Sequence, residues 1–284
     1  MLRFTALGPL EVFHDHCLCK PTAPKARQVL ALLLLRANQV VPISALVEEL
    51  WGEQPPQSAV TTVQTYVYQL RKMFERAGYQ GPDQELLATR PPGYLLRLCQ
   101  DQLDADVFGR LVQQGRMLVQ SNRLTEAADR LRRALELWRG SALANVTQGP
   151  LLRGYVADLE EQRMRAVELR IQANAALGRH RELIGELRIL VSQYPLNEWL
   201  HAQLIVALNA AGRRGEALQA YHALREILTD ELGLDPSPAL RRLHHDVLKT
   251  GTVPSIPTQR PGPDPDGWSG WMPEEMAARS DVAG

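Results

Sequence analysis

Short strands, three helices and a hairpin fill residues 1–99 of this 284-residue chain, and helical patterning runs over residues 104–250. That order predicts an α+β domain followed by an all-α domain, and three observations carry it. Residues 58–74, SAVTTVQTYVYQLRKMF, place Val60, Val63, Val67, Leu70 and Phe74 at three- and four-residue spacing, which makes one apolar helical stripe. The runs LLATR and YLLRL flank Pro91-Pro92-Gly93 and read as a hairpin. LGRHRELIGEL from Leu177 and AGRRGEALQAY from Ala211 repeat at an offset of 34 residues, the helix-turn-helix period of tetratricopeptide repeats.

The elements follow in order. LRFTAL and EVF bracket the turn signal Gly8-Pro9, and His14-Asp15-His16 can close a second hairpin into CLCKP. A helix is expected from about Lys25 to Ala37, then the short extended segment VVP, then a helix over 43–51. GEQPPQ ends that helix, and Ser58 is the better cap for the next one. In the all-α part, NRLTEAADRLRRALEL (122–137) resembles the two repeats but lies outside their register. Residues 251–284 hold six prolines among glycines and acids and read as a disordered tail, with Trp268 and Trp271 as exceptions of unassigned role.

Composition excludes several classes. The formal net charge is zero, so any polyanion site must be a local patch. No apolar run approaches the ~18 residues of a membrane span, and VLALLLL lacks the flanks of a signal peptide, so a cytoplasmic protein with no membrane partner is expected. Cys17, Cys19 and Cys99 form no disulfide framework. No phosphate-cradling GxxxxGK[ST], zinc-binding HExxH or nucleophile-elbow GxSxG occurs, so neither catalytic residues nor a cofactor is expected. His244-His245-Asp246 reads as solvated surface. His14, His16, Cys17 and Cys19 are good metal ligands, but strand alternation puts the histidines and cysteines on opposite faces, so no metal site is expected.

The polar face of helix 58–74 is unusual. Thr61, Thr62, Thr65, Tyr68 and Gln69 cover it, it carries no carboxylate before Glu75, and Thr is a poor helix former. Short hydroxyl side chains let a helix lie close to a groove floor. Thr can offer its hydroxyl to a base edge or its methyl to thymine, and Gln can pair bidentately with adenine. Tyr68, Arg71 and Lys72 can reach phosphates. Arg90, at the hairpin tip, suits a narrow minor groove. Helix, turn, recognition helix and wing together make a winged helix-turn-helix.

GPLEVF, KARQVLALLLLRANQVV, LVEELWGEQPP, VQTYVYQLRKMFE and TRPPGYLLRL resemble the Streptomyces antibiotic regulatory proteins, whose N-terminal domain is of the OmpR-type winged-helix kind. The stretch from DADVFGRLVQQGR to GLDPSP is similar to their bacterial transcriptional activation domain, a tetratricopeptide-like bundle. The likeness covers about residues 1–250. It implies an activator of a secondary-metabolite cluster that binds direct repeats of double-stranded DNA near the promoter −35 region and recruits RNA polymerase holoenzyme. Repeats spaced by whole helical turns would put two protomers on one face of the duplex, so a homodimer on DNA is expected. Matching the Leu70-Arg71-Lys72 motif places Thr62, Thr65, Tyr66 and Gln69 at base-facing positions, Thr61 and Tyr68 near phosphates, and Arg90 at the wing tip. The helical projection agrees except at Tyr66, which lies nearer the apolar edge. Lys25 and Arg27 match the family's KxR and are expected on phosphate or polymerase. No receiver domain precedes the winged helix and no P-loop follows, so neither phosphorelay nor ATP control is expected. The competing reading is a tetratricopeptide adaptor that uses the winged helix as a protein-binding surface.

Overall fold

A computed structural model describes residues 2–14, 17–19, 23–76 and 86–250. Asp15, His16, the tail 251–284 and the side chains of Cys17 and Cys19 lie outside this description, so the readings of the second hairpin turn, the tail and the histidine-cysteine group are not tested by it. Among the described residues, no group of three or more His, Cys, Asp or Glu is placed to hold a metal ion, and no helix is long and apolar enough to cross a membrane. Cys99 is an exposed free thiol.

The chain divides into two compact units, the first running from Met1 to Arg179 and the second starting at His180. The first unit opens with an antiparallel sheet of β1 (Leu2–Thr5), β2 (Glu11–His14) and β3 (Cys17–Cys19), in that order. α1 (Pro24–Leu35) follows, with proline at its first position, where its missing N–H costs nothing. It ends two residues before the expected Ala37 because Arg36 leaves helical geometry and Asn38 turns into the left-handed region at φ 63°. Asn38 then clamps Leu98, donating to its carbonyl at 3.1 Å and accepting from its amide at 3.0 Å.

β4 (Val40–Pro42), α2 (Ile43–Trp51), α3 (Ala59–Arg76), β5 (Leu87–Arg90) and β6 (Gly93–Leu96) complete the winged helix. The wing is not the two-stranded hairpin expected: β4 joins it, and the sheet order is β4-β6-β5. Gly93 makes this possible, since a Cβ there would lie 1.9 Å from the Val41 carbonyl oxygen. The buried stripe of α3 also differs by one position. Val63, Val67, Leu70 and Phe74 are buried as expected, but Val60 is 48% exposed and Ala59 takes its place. The stripe packs into a core with Val29, Leu30 and Leu33 of α1, and Phe74 meets Phe4 of β1 edge-on.

That core continues into the helical part. Leu143, Val146 and Leu152 belong to it, although they lie beyond α4 (Asp104–Gln120) and α5 (Leu124–Leu135), the last of them within α6 (Pro150–Ala176). Polar ties reinforce the join. Asp104 accepts from the Ala6 and Leu7 amides at 2.7 and 3.2 Å, and Asn145 both accepts from and donates to the Leu10 backbone. Glu49 of α2 is buried to 2% exposure, and its carboxylate accepts from the amides of Gly149, Leu151 and Leu152 at 2.6, 3.0 and 3.0 Å. It therefore caps α6, placing a negative charge at the positive end of a 27-residue helix. A Cβ at Gly149 would lie 2.0 Å from the Glu49 carbonyl, so only glycine allows the approach.

The second unit contains α7 (His180–Gln193), α8 (Glu198–Ala210), α9 (Arg214–Leu232) and α10 (Pro238–Thr250). α8 is buried on most sides from Leu200 to Asn209. The repeat signal marks a recurring turn: Gly178 and Gly212 take φ of 74° and 79°, and Asn122 takes 59°. At each, the following arginine amide (Arg123, Arg179, Arg213) donates to a carbonyl five residues back: Leu118, Asn174 and Leu208. The 122–137 segment thus starts with the same turn, out of register because the long α6 intervenes and Asn replaces Gly at the left-handed position. His244 departs from the surface expected of it: it is half-buried and stacks on Tyr221 with ring centroids 4.0 Å apart.

Candidate nucleic-acid interface

α3 presents the site. At about 100° per residue, the sector opposite its buried stripe holds the exposed Thr61, Gln64, Thr65, Tyr68 and Gln69, and Lys72, whose side chain is 44% exposed. Thr62 and Tyr66 stand half-buried at its border, and Tyr66 packs against the core as the projection anticipates. Tyr68 is 60% exposed, unusual for a ring that size.

The threonines earn their place chemically. Thr62 donates its hydroxyl to the Ser58 carbonyl at 2.9 Å, and Thr65 donates to the Thr61 carbonyl at 3.0 Å. With those protons engaged inside the helix, each side chain offers outward an acceptor oxygen and a methyl group. Such a surface matches exocyclic amino donors and thymine methyls on a major-groove floor.

Charge on the face is sparse. Lys72 donates to Glu75 at 2.7 Å and lies 5.7 Å from the centre of the Tyr68 ring. The Glu75 hydrogen bond, then its charge, raises the Lys72 ammonium above its ordinary value. Both side chains are well exposed, so this pair is weak and a phosphate can displace the carboxylate. Arg90 is exposed at the end of β5, opposite Gly93, with no ion pair among the described residues.

Three basic residues of the expected set are engaged within the protein. Arg71 donates through Nε to the Leu87 carbonyl at 2.9 Å and through Nη2 to the Thr89 hydroxyl at 2.8 Å. Arg27 donates to the Asn145 carbonyl at 2.8 Å. Lys25 lies 4.3 Å from the centre of the Trp51 ring and 3.5 Å from the Leu50 carbonyl. Sequence reasoning passed over Gln64 and Arg76, both exposed on α3. Gln64 falls one turn before Tyr68, which is the signal that finds it.

Comparison with known proteins agrees with both parts of the chain. A family described as "Transcriptional regulatory protein, C terminal" matches residues 21–96, and one described as "Bacterial transcriptional activator domain" matches residues 103–248. The chain is 41% identical over 251 residues to regulatory protein DnrI of Streptomyces peucetius, covering 87% of this chain and 92% of that protein. It is 35% identical over 252 residues to transcriptional regulator RedD of Streptomyces coelicolor, covering 89% of this chain and 72% of that one. Among solved structures, Mycobacterium tuberculosis EmbR in complex with a low affinity phosphopeptide aligns with a TM-score of 0.81 at 34% identity, over 87% of this chain and 65% of that chain. Matched across both its parts by regulators of this kind, the chain belongs to the Streptomyces antibiotic regulatory protein family of transcriptional regulators.

Proposed function

We propose that this protein is a sequence-specific DNA-binding activator of a secondary-metabolite gene cluster, without enzymatic chemistry. It binds direct repeats near the promoter −35 region as a homodimer on DNA and recruits RNA polymerase through its helical region. The observation that carries this reading is the outer face of α3, whose acceptors, methyls and amides are turned to solvent instead of into the fold. Thr61, Gln64, Thr65, Tyr68, Gln69 and Lys72, bordered by Thr62, read and flank the major groove. Arg90 enters the adjacent minor groove. Phosphate contacts, about 5–8 per protomer by analogy with other helix-turn-helix proteins, supply most of the affinity.

A footprint of the purified protein on the intergenic DNA beside its own gene, repeated across a salt series, tests this. Protection of direct repeats a whole number of helical turns apart is expected, with log affinity falling by about 0.9 per phosphate contact per decade of salt. An absence of protection at low salt would reject it in favour of the adaptor reading.

A further inference from the structure

Arg71 lies on α3 at the border between the buried stripe and the open face, and is half-buried. Its guanidinium holds two alternate residues of one strand, the Leu87 carbonyl and the Thr89 hydroxyl. β5 is the edge strand of the wing sheet. The carbonyl of Leu86, the residue before β5, accepts from the Arg97 amide, so the Leu87 carbonyl faces the other way, towards α3. Thr89 immediately precedes Arg90, the residue at the wing tip. The fork therefore joins the recognition helix to the wing strand one residue short of the tip.

Resting on the DNA-binding reading above, we infer that Arg71 is a positioning residue that fixes the wing against the recognition helix, and so fixes which base pair Arg90 reaches while α3 occupies the major groove. Scale supports a specific effect. One residue of strand rises about 3.3 Å, and successive base pairs are about 3.4 Å apart. A wing displaced by one such step presents Arg90 to the neighbouring pair. Two geometrically fixed donors suit this task, and a lysine ammonium on a flexible stem does not reproduce them. The sequence alone suggested a phosphate contact for Arg71, and that role would require the fork to release both acceptors.

The test uses the full chain with Arg71→Ala, Arg71→Lys, Thr89→Val, Arg90→Ala and the Arg71→Ala, Arg90→Ala double variant. Two quantities are measured: affinity for the footprinted repeat across a salt series, and amide hydrogen exchange without DNA. Arg71→Ala and Arg71→Lys should each weaken binding by about tenfold, and Thr89→Val by about threefold. In the Arg90→Ala background, Arg71→Ala should cost less than about twofold, because the contact it positions is already gone. Exchange over residues 87–90 should speed up in both Arg71 variants while that of α3 does not change.

The inference is overturned if Arg71→Lys keeps wild-type affinity, or if the losses from Arg71 and Arg90 multiply. Either result makes Arg71 an independent phosphate contact. If the wild type binds no DNA at low salt, the functional reading fails by itself. The exchange measurement then still decides whether Arg71 holds the wing.

Discussion

The inner face of α2 and the outer face of α3 both carry polar side chains at helical spacing, in the same winged helix, and their hydrogen-bonding capacity is used in opposite ways. Glu49 meets three backbone amides and the Gln28 side-chain amide, all inside the protein. Thr62 and Thr65 of α3 instead donate their protons to carbonyls one turn back, on a face that is open to solvent at Thr61 and Thr65. The difference separates polar groups that hold the first unit together from polar groups left open to solvent. Residue type does not reveal it: Arg27 resembles Lys72 in charge, yet it donates to the Asn145 carbonyl at the join.

The largest effect should come from Glu49→Ala. It strands three amides at the start of α6 and removes a buried charge-assisted cap. A loss of about 3 kcal/mol in unfolding free energy is expected, read by urea titration. A loss below about 1 kcal/mol would mean water replaces the carboxylate and the join is looser than its hydrogen bonds suggest.

Gln69→Ala tests the opposite face. Stability should stay within about 0.5 kcal/mol, while DNA binding should lose ~1–3 kcal/mol at one base pair of each repeat. A uniform loss across all sequences would make Gln69 a phosphate contact instead. Smaller again is Arg27→Ala. It should lower stability by about 1 kcal/mol through the Asn145 bond and leave the salt dependence of DNA binding unchanged. A reduced salt slope would return Arg27 to the DNA and erase the line between the two faces.

Much of the winged helix was legible because its signals are local. The α3 stripe, the span of α2 and the hairpin around Pro91-Pro92-Gly93 all follow from spacing and turn chemistry. What escaped depended on partners distant in sequence. β4 reads as a short extended segment without a partner until β6 is seen beside it. Arg71 reads as a surface cation until β5 supplies its acceptors 16 and 18 residues away. Glu49 is one more acid on an amphipathic helix until α6 presents amides about 100 residues later. The open face of α3 was readable for the converse reason: its hydrogen-bond partners, Ser58, Thr61 and Glu75, lie within four residues of Thr62, Thr65 and Lys72, so no distant residue is needed to explain it.

His244 falls between the two classes, and acid should expose it. It stacks on Tyr221, with His222 5.5 Å away edge-on. Burial first, then the charges of His222 and His245, hold its imidazole below the ordinary value. His201 in the same unit shifts the same way, through burial partly offset by the Pro195 carbonyl. Between such a depressed folded value and the ordinary ~6.5, the unfolded chain binds more protons than the folded one. Stability in the second unit is therefore fully present above about pH 6.5 and declines as pH falls through the folded values. The first unit has the opposite sign at its own carboxylates: burial raises Asp104 and Asp106, so they favour folding most when protonated and lose that contribution as pH rises past the ordinary ~3.9. Thermal melts at pH 5, 6 and 7 should show the second unit weakening on acidification, and His244→Phe, which keeps an aromatic ring on Tyr221, should flatten part of that slope. If His244→Phe is as steep as the wild type, the dependence belongs to His201, and the Tyr221 stack tolerates a charged imidazole as an exposed contact would.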